Sequence, residues 1–437
     1  MNSPPWIVVA LGIVIALIAS PAPAARDKKP AKPLAQQSLD APALAIVGGT
    51  IHPVIGADIP GGTLVLEGGK IRAILPAGRE APSGMTRIDA VGRHVYPGLV
   101  AASASNFALS GDAFTGGAEA VLGRPVADSF DPWASEVELA ASAGITSAVV
   151  WATGQTKGPL AGRAAVLKMS VGEPRDIVVK DPAAVYASPL ALTAAGRRDL
   201  QESLDKARKR AGSQGSRAPE GRADILEELA SRRIPLVMSP GSAGAVLSSL
   251  EIAEALDVAL VIGDSTEAWA VADEVAAAKA SVVQAVRSSW GTPRADRRVN
   301  IPGGWKFDAI TLLTRAGVPT AACPLSDTLQ LWGVGGRDLL DLPMEAAFAQ
   351  RVGLTAQEAL EAITIVPARI FGVERRIGSL EPGKDADVII ADGDILDYRT
   401  FVRTTIVNGR VAYEAGKSRH WKSIVALRDQ ALAAPAP

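Results

Sequence analysis

The chain has 437 residues, of which 48% are hydrophobic and 4% aromatic, and its formal net charge is -1. This length exceeds a single small domain and allows one large core with an accessory domain. The apolar content excludes a disordered chain and predicts an aliphatic α/β protein. The near-zero charge gives no electrostatic basis for binding nucleic acid or an anionic membrane surface.

Cysteine and histidine are rare in this chain. The single cysteine, Cys323, excludes an internal disulfide and a cysteine-based zinc site. The three histidines are His52, His94 and His420. We expect His52 at a turn, His94 in a strand before the long α/β region, and His420 beyond the last strand. None of the three is therefore expected to be catalytic, and they cannot build a histidine-rich metal centre.

The amino terminus is typical of a secretory signal peptide. Residues 6–19 form a continuous apolar run, and the small residues 22–24 follow it. The run is short for a membrane span, although the absence of Lys and Arg before it keeps an uncleaved inner-membrane anchor as the alternative. We predict a signal peptide over 1–24, a linker over 25–42, and a periplasmic or secreted protein.

Both ends of the remaining chain show short β-branched runs separated by glycine turns. Gly69 stands where a hairpin requires a positive φ, and Asn408-Gly409 is a second hairpin turn. Two β-rich ends around a long α/β middle predict a small β-sandwich made from residues 43–97 and 373–420. Residues 421–437 are then a tail.

The middle of the chain, residues 98–372, alternates short apolar runs with helical patterns. The predicted strands include 144–150, 234–238, 258–262 and 318–322. The predicted helices include 222–233, 243–256, 309–316 and 355–363, the last beginning with a capping box at Thr355-Ala356-Gln357-Glu358. Repeated β-then-α units predict a parallel sheet, closed into a (β/α)8 TIM barrel of the α/β class.

Two motifs resemble the amidohydrolase superfamily. The first is RHVYPGLVAASASN at 93–106, and the second is GSLEPGKDAD at 378–387, within a longer matching run over 353–416. In that family the chain enters its catalytic barrel after Pro-Gly-Leu. The resemblance implies a metal-dependent hydrolase scaffold, with a TIM barrel and a β-sandwich built from both chain ends. It covers both ends of the chain closely and the centre more loosely.

The resemblance also implies a set of site positions. The family holds metal at the carboxyl ends of barrel strands through a His-x-His pair, two later histidines and an aspartate. The corresponding positions here are Ser103, Ser105, Ser239 and Asp264, while Asp327 matches the aspartate that serves as metal ligand and general base. Hydroxyls are poor Zn2+ ligands. The metal centre is thus expected to be degenerate, with at most a weak Zn2+, Mn2+ or Mg2+ site at Asp264 and Asp327.

Two further possibilities concern lysine and serine chemistry. Some members of the family add a carboxylated lysine, and Lys168 and Lys180 lie in plausible places, but neither sits in a motif. We predict that each is an ordinary surface or loop lysine. A serine-hydrolase mechanism at Ser103 lacks a G-x-S-x-G elbow and a base.

Three functions remain open from the sequence. The first is an exported protein with a lost metal centre and weak or no hydrolysis, which binds a small ligand or joins an active relative as a partner subunit in an oligomer. The second is an active hydrolase of amide, cyclic amide or dipeptide-like carbon–nitrogen bonds with an atypical metal site around Asp264 and Asp327. The third is an envelope-associated binding protein. We expect no nucleic acid partner, and membrane contact only through an uncleaved signal segment.

Overall fold

The computed structural model describes residues 40–110, 121–154, 158–188, 192–212, 222–291, 294–295, 300–301, 304–324, 326 and 339–433. All of them belong to one compact unit, Leu34–Pro437. The predicted signal peptide and most of the predicted linker lie outside the described residues. Across the described ranges, no helix has both the length and the apolar character needed to cross a membrane.

The strands and helices have the following bounds. The strands are β1 Leu44–Ile51, β2 Ile59–Glu67, β3 Lys70–Leu75, β4 Thr86–Asp89, β5 His94–Pro97, β6 Leu99–Ser105, β7 Ile145–Thr153, β8 Leu160–Lys168, β9 Val178–Ala187, β10 Leu236–Met238, β11 Leu260–Gly263, β12 Ser281–Ala285, β13 Trp290–Gly291, β14 Arg294–Ala295, β15 Asn300–Ile301, β16 Gly304–Trp305, β17 Thr320–Cys323, β18 Val388–Ala391, β19 Val402–Val407 and β20 Arg410–Glu414. The α-helices are α1 Ser135–Ser142, α2 Ala194–Ala211, α3 Arg222–Ala230, α4 Ala243–Leu256, α5 Ala272–Ala277, α6 Ala309–Arg315, α7 Leu342–Arg351, α8 Ala356–Glu361, α9 Ile365–Ile370 and α10 Lys422–Ala433.

The two chain ends build one eight-stranded sheet, which we call the composite sheet. Its order is β20-β19-β18-β5-β1-β2-β3, and β4 pairs with β1. The ends join where β18 runs antiparallel to β5, with Ile389 opposite Tyr96. The predicted hairpins are confirmed, because Gly69 has a φ of 75° and Asn408 and Gly409 have φ values of 50° and 73°. The expected β domain made from both chain ends is therefore confirmed.

The middle of the chain forms a second eight-stranded sheet, in the order β17-β12-β11-β10-β9-β8-β7-β6. Its two edges meet through the segment between α8 and α9. The Val100 N–H donates to the Ile363 carbonyl at 2.9 Å, and the Ala322 N–H donates to the Ala362 carbonyl at 2.9 Å. These bonds nearly close the sheet, which confirms the predicted TIM-type barrel with helices around it.

The barrel departs from a regular (β/α)8 repeat at β7, β8 and β9. Strand β8 pairs antiparallel with both neighbours, so the prediction of a uniformly parallel sheet was wrong here. Only residues 154–159 and 169–177 separate these strands, and a parallel connection requires a crossover of a dozen or more residues. The reversed strand carries Lys168 to the end of the barrel where β6 and β7 begin.

Lys168 is fully buried, so its predicted place on the surface or in a loop was wrong. Its ammonium lies 2.9 Å from Asp385 Oδ2 and also bonds the Asp387 carboxylate. Asp385 binds Arg376 Nη2 at 2.8 Å, and Asp387 accepts the Asn408 N–H at 2.9 Å. We call these five residues the Lys168 cluster. The cluster joins a barrel strand to the carboxyl-terminal motif.

Lys180 also lies in a strand, in β9, and is half-buried, so the same prediction was wrong for it. Its ammonium donates to the carbonyl oxygens of Arg233 and Phe371, each at 2.9 Å. Burial lowers the pKa of Lys180. The lysine therefore supports the backbone around the barrel through neutral acceptors.

Replacing Lys168 by Met should cost about 3–5 kcal/mol of unfolding free energy, because the buried Asp387 carboxylate loses its cation, while Asp385 keeps Arg376 and Lys70. Urea denaturation followed by circular dichroism measures the loss. The matched control is Glu67→Gln, which breaks the exposed pair with Arg72 and should cost less than about 1 kcal/mol. Similar small losses in both variants would show that the Lys168 cluster contributes little.

Gly98 in the Pro-Gly-Leu motif has no room for a side chain. A Cβ atom there would lie 1.9 Å from Thr146 Oγ1 and 2.2 Å from Thr146 Cγ2. We expect Gly98→Ala to lose at least about 1–3 kcal/mol of stability through overpacking. Adding Thr146→Gly should recover part of the loss, and a double-mutant cycle of unfolding free energies measures the coupling. Strictly additive effects would contradict this assignment.

Candidate functional site

A cavity of about 320 Å³ lies at the carboxyl ends of the barrel strands. This volume is at the lower end of the range for small-molecule pockets. Barrel proteins place their sites at this face. Its lining residues in the described part of the chain are Ala102, Ser103, Ser105, Trp151, Thr153, Tyr186, Val237, Ser239, Gly263, Asp264, Val283, Cys323, Pro324 and Phe371.

The cavity brings together four of the positions singled out from the sequence. Ser103 and Ser105 stand on the same face of β6, because side chains alternate along a strand. Ser239 follows β10 and Asp264 follows β11. The fifth position, Asp327, lies outside the described residues.

Asp264 leaves its strand with an unusual backbone. Its φ is 43°, in the left-handed region that non-glycine residues rarely adopt, and its N–H donates to the Val283 carbonyl at 3.1 Å. The residue before it, Gly263, lies beside the cavity, and a Cβ atom there would be 3.3 Å from Ser239 Oγ. A tight turn and a missing side chain thus keep this side of the cavity open.

Three aromatic residues in the cavity were missed by the sequence analysis. Trp151 and Tyr186 form an edge-to-face pair with ring centroids 6.5 Å apart, and Phe371 completes the apolar wall. Trp151 lies one position beyond the predicted strand 144–150, so the rule that sites occupy strand ends could have found it. Tyr186 belongs to the unpredicted strand β9, and Phe371 follows a helix and has no local signal.

Comparisons with known proteins relate part of this chain to a known family. The family described as Amidohydrolase family matches residues 257–413. The N-acetylglucosamine-6-phosphate deacetylase of Bos taurus is 33% identical over 72 residues, which are 16% of this chain and 16% of that protein. The 5-methylthioadenosine/S-adenosylhomocysteine deaminase of Symbiobacterium thermophilum is 40% identical over 75 residues, 14% of this chain and 17% of that protein. The chain thus matches about a sixth of the length of these curated relatives.

Solved structures agree in fold over a much larger share of the chain. An amidohydrolase from Thermotoga maritima MSB8 has a TM-score of 0.66 at 22% identity and covers 85% of this chain and 100% of its own. A putative prolidase from Bifidobacterium longum has a TM-score of 0.52 at 17% identity, with coverage of 90% and 100%. Residues 257–413 thus resemble the amidohydrolase family, and the chain shares the fold of these solved structures.

The described residues do not fit the zinc centre that this superfamily implies. Within the described ranges, no group of three or more His, Cys, Asp or Glu side chains could hold a metal ion. The cavity offers the hydroxyls of Ser103, Ser105, Ser239 and Thr153 and the Asp264 carboxylate. Neutral hydroxyls compete poorly with imidazole and carboxylate for Zn2+.

The three histidines lie away from the cavity lining described above. His94 begins β5, as predicted, and His52 directly follows β1 in the composite sheet. His420 is exposed beyond the last strand, where its Nε2 accepts a hydrogen bond from Arg419 Nε at 3.0 Å. The only cysteine, Cys323, is buried at the end of β17 and lines the cavity.

The thiol of Cys323 allows access to the cavity to be measured with a thiol-reactive reagent. A small neutral reagent such as methyl methanethiosulfonate should modify Cys323 in the native protein, since this residue lines the cavity. Gly263→Leu should slow the labelling several-fold by filling the space beside Ser239. The rate is followed by mass spectrometry. Gly416→Leu, in open space after β20, is the control and should label at the wild-type rate. Equal rates in all three proteins would contradict this cavity geometry.

Proposed function

We propose that this chain is a small-molecule-binding protein on an amidohydrolase scaffold whose metal centre has been lost, with weak or no hydrolysis. One observation carries the proposal. The four strand-end positions that the family fills with histidine hold Ser103, Ser105, Ser239 and Asp264, yet these residues still surround a cavity of ligand size. The fold of the family is therefore present, while the side chains at these four positions are poor ligands for Zn2+.

The cavity chemistry supports a ligand that combines a ring with polar groups. Trp151, Tyr186 and Phe371 offer apolar faces against which a flat ring can pack. The serine hydroxyls can donate and accept hydrogen bonds to substituents of that ring. The names of the curated relatives point to amino-sugar and nucleoside ligands, and both classes carry rings with polar substituents.

Location and assembly are parts of the same proposal. The apolar run at 6–19 and the small residues at 22–24 support export to the periplasm or beyond, with an uncleaved anchor as the alternative. A protein with a weakened site can act as a partner subunit, so we propose an oligomer that includes an active amidohydrolase relative.

A second candidate function is hydrolysis of carbon–nitrogen bonds. The observation that favours it is the left-handed backbone of Asp264, because uncommon backbone conformations cluster at functional sites. In this mechanism the Asp264 carboxylate takes a proton from water while the water oxygen bonds to an amide carbon. The carbon–nitrogen bond then breaks, and the same proton passes to the departing amine. Asp327, outside the described residues, is the second carboxylate expected for this role.

Metal content tests the loss of the metal centre. Protein purified without a His tag and incubated with Zn2+, Mn2+ and Mg2+ should retain no tightly bound ion, as elemental analysis will show. The double substitution Ser103→His and Ser105→His should gain zinc, because two imidazoles would join the Asp264 carboxylate at the cavity. Arg410→His with Ala412→His places the same His-x-His spacing on β20 outside the cavity, and should retain zinc more weakly.

One or two tightly bound ions in the wild-type protein would contradict the proposal of a lost metal centre. An amide-hydrolysis screen then tests the second candidate. The second candidate would be supported if the wild-type protein hydrolyses an amide and Asp264→Asn abolishes this activity, while circular dichroism shows that the variant is folded. Ligand binding without any turnover would support the first candidate.

A further inference from the structure

Two of the three histidines hydrogen-bond each other in the composite sheet. His52 Nε2 lies 2.9 Å from His94 Nδ1, and the two ring planes differ by 3°. At this distance one nitrogen must carry a proton and the other must present a lone pair. The histidine pair is therefore sensitive to its protonation state.

The other nitrogen of His52 fixes the direction of this bond. His52 Nδ1 lies 2.9 Å from Asp58 Oδ2, and a carboxylate only accepts, so Nδ1 carries a proton. In the neutral pair, His52 Nε2 then accepts from the His94 Nδ1–H. One added proton can be shared, because His52 can become the donor to His94. A second added proton would place two N–H groups against each other and break the bond.

Other charged and titratable groups surround the pair. Tyr96 stacks on His52 with ring centroids 4.3 Å apart, and its hydroxyl lies 3.5 Å from both His94 Nδ1 and Asp394 Oδ1. Burial lowers the pKa of His52 most, with Asp58 acting in the opposite direction. On helix α8, the nearby acid Glu361 is bonded to Gln357.

The pair is attached to a strained loop. Residues 52–58 connect β1 to β2, and Val54 has a φ of 71°, which is an outlier for a β-branched residue. Val54 is 3% exposed and packs in the main barrel core. Its carbonyl accepts from Gln357 on helix α8, and the Pro53 carbonyl accepts the Leu380 N–H at 3.0 Å. His52 therefore holds a strained segment between the composite sheet and the barrel.

A second loop ends at the same cluster. The Ile395 N–H donates to the Tyr96 hydroxyl at 3.3 Å, and Ile395 is buried in the barrel core. Both loops of the composite sheet that pack into the barrel core at this point, 52–58 between β1 and β2 and the loop of Ile395 between β18 and β19, are thus tied to the stacked rings of His52, His94 and Tyr96. A change of charge on these rings acts on both segments together.

We propose that the His52–His94 pair is a pH-responsive latch that holds the 52–58 loop against the barrel and releases it when the second proton binds. The pKa of His52 in the closed form lies below the usual 6.5, so an opened loop binds the proton more readily. The latch is fully closed above about pH 6.5 and is lost as the pH falls through the lowered pKa.

Hydrogen exchange with mass spectrometry tests the latch in the full chain between pH 8 and pH 5. After correction for the intrinsic pH dependence of exchange, peptides containing Leu380 and Ile395 should lose protection several-fold as the pH falls, because their N–H groups are bonded to the Pro53 carbonyl and the Tyr96 hydroxyl. We call this pH-dependent loss of protection the pH step. His52→Gln should abolish the pH step, whatever the protection of these peptides in that variant at pH 8. His420→Gln changes the exposed third histidine and should keep the step unchanged.

A second variant keeps the test decisive if His52→Gln does not fold. Asp58→Asn removes a half-exposed carboxylate that raises the proton affinity of His52, so the step should move to lower pH. The latch would be overturned by no step in the wild-type protein, a step that persists in His52→Gln, or a step that Asp58→Asn leaves at the same pH. Loss of the step in His420→Gln would also overturn it.

Discussion

The arrangement of this chain depends on the ion pairs that the buried Lys168 ammonium forms. It sits between Asp385 and Asp387, and the same Asp387 accepts the Gly98 N–H through its backbone carbonyl at 3.0 Å. A charge in the interior is tolerated only when it is paired and hydrogen-bonded. The cluster therefore requires the Pro-Gly-Leu entry to the barrel, strand β8 and the carboxyl-terminal motif to meet at one place.

This meeting point lies at the opposite end of the barrel from the cavity. Strands β6 and β7 begin near Gly98 and Thr146, whereas Ser105 and Thr153 line the cavity at their carboxyl ends. The two recognisable sequence motifs lie at the end of the barrel that holds the Lys168 cluster. Ligand chemistry depends on the opposite end, where the cavity lies. A scaffold can thus be kept intact while its site changes, and fold does not by itself specify function.

Two polar clusters hold the composite sheet to the barrel, and they differ in access to water. Lys168 is fully buried, with its carboxylates 2% and 4% exposed, so a proton reaches them only through local opening. His52 and Asp58 are 15% and 57% exposed, and histidine titrates near neutral pH. The Lys168 cluster therefore holds the two parts of the chain together independently of pH, and the His52–His94 pair is suited to respond to acidity.

Features that depend on a few neighbouring residues were determined by the sequence alone. The positive φ of Gly69, the Asn408-Gly409 turn, the capping box at Thr355 and helix α4 at Ala243–Leu256 all follow from local backbone sterics and capping. The tertiary structure alone decided the reversed strand β8, the aromatic wall at Trp151, and the burial of Lys168. Lys168 and Asp387 stand 219 positions apart, and whether a charge at one position can be buried depends on what the folded chain brings to it.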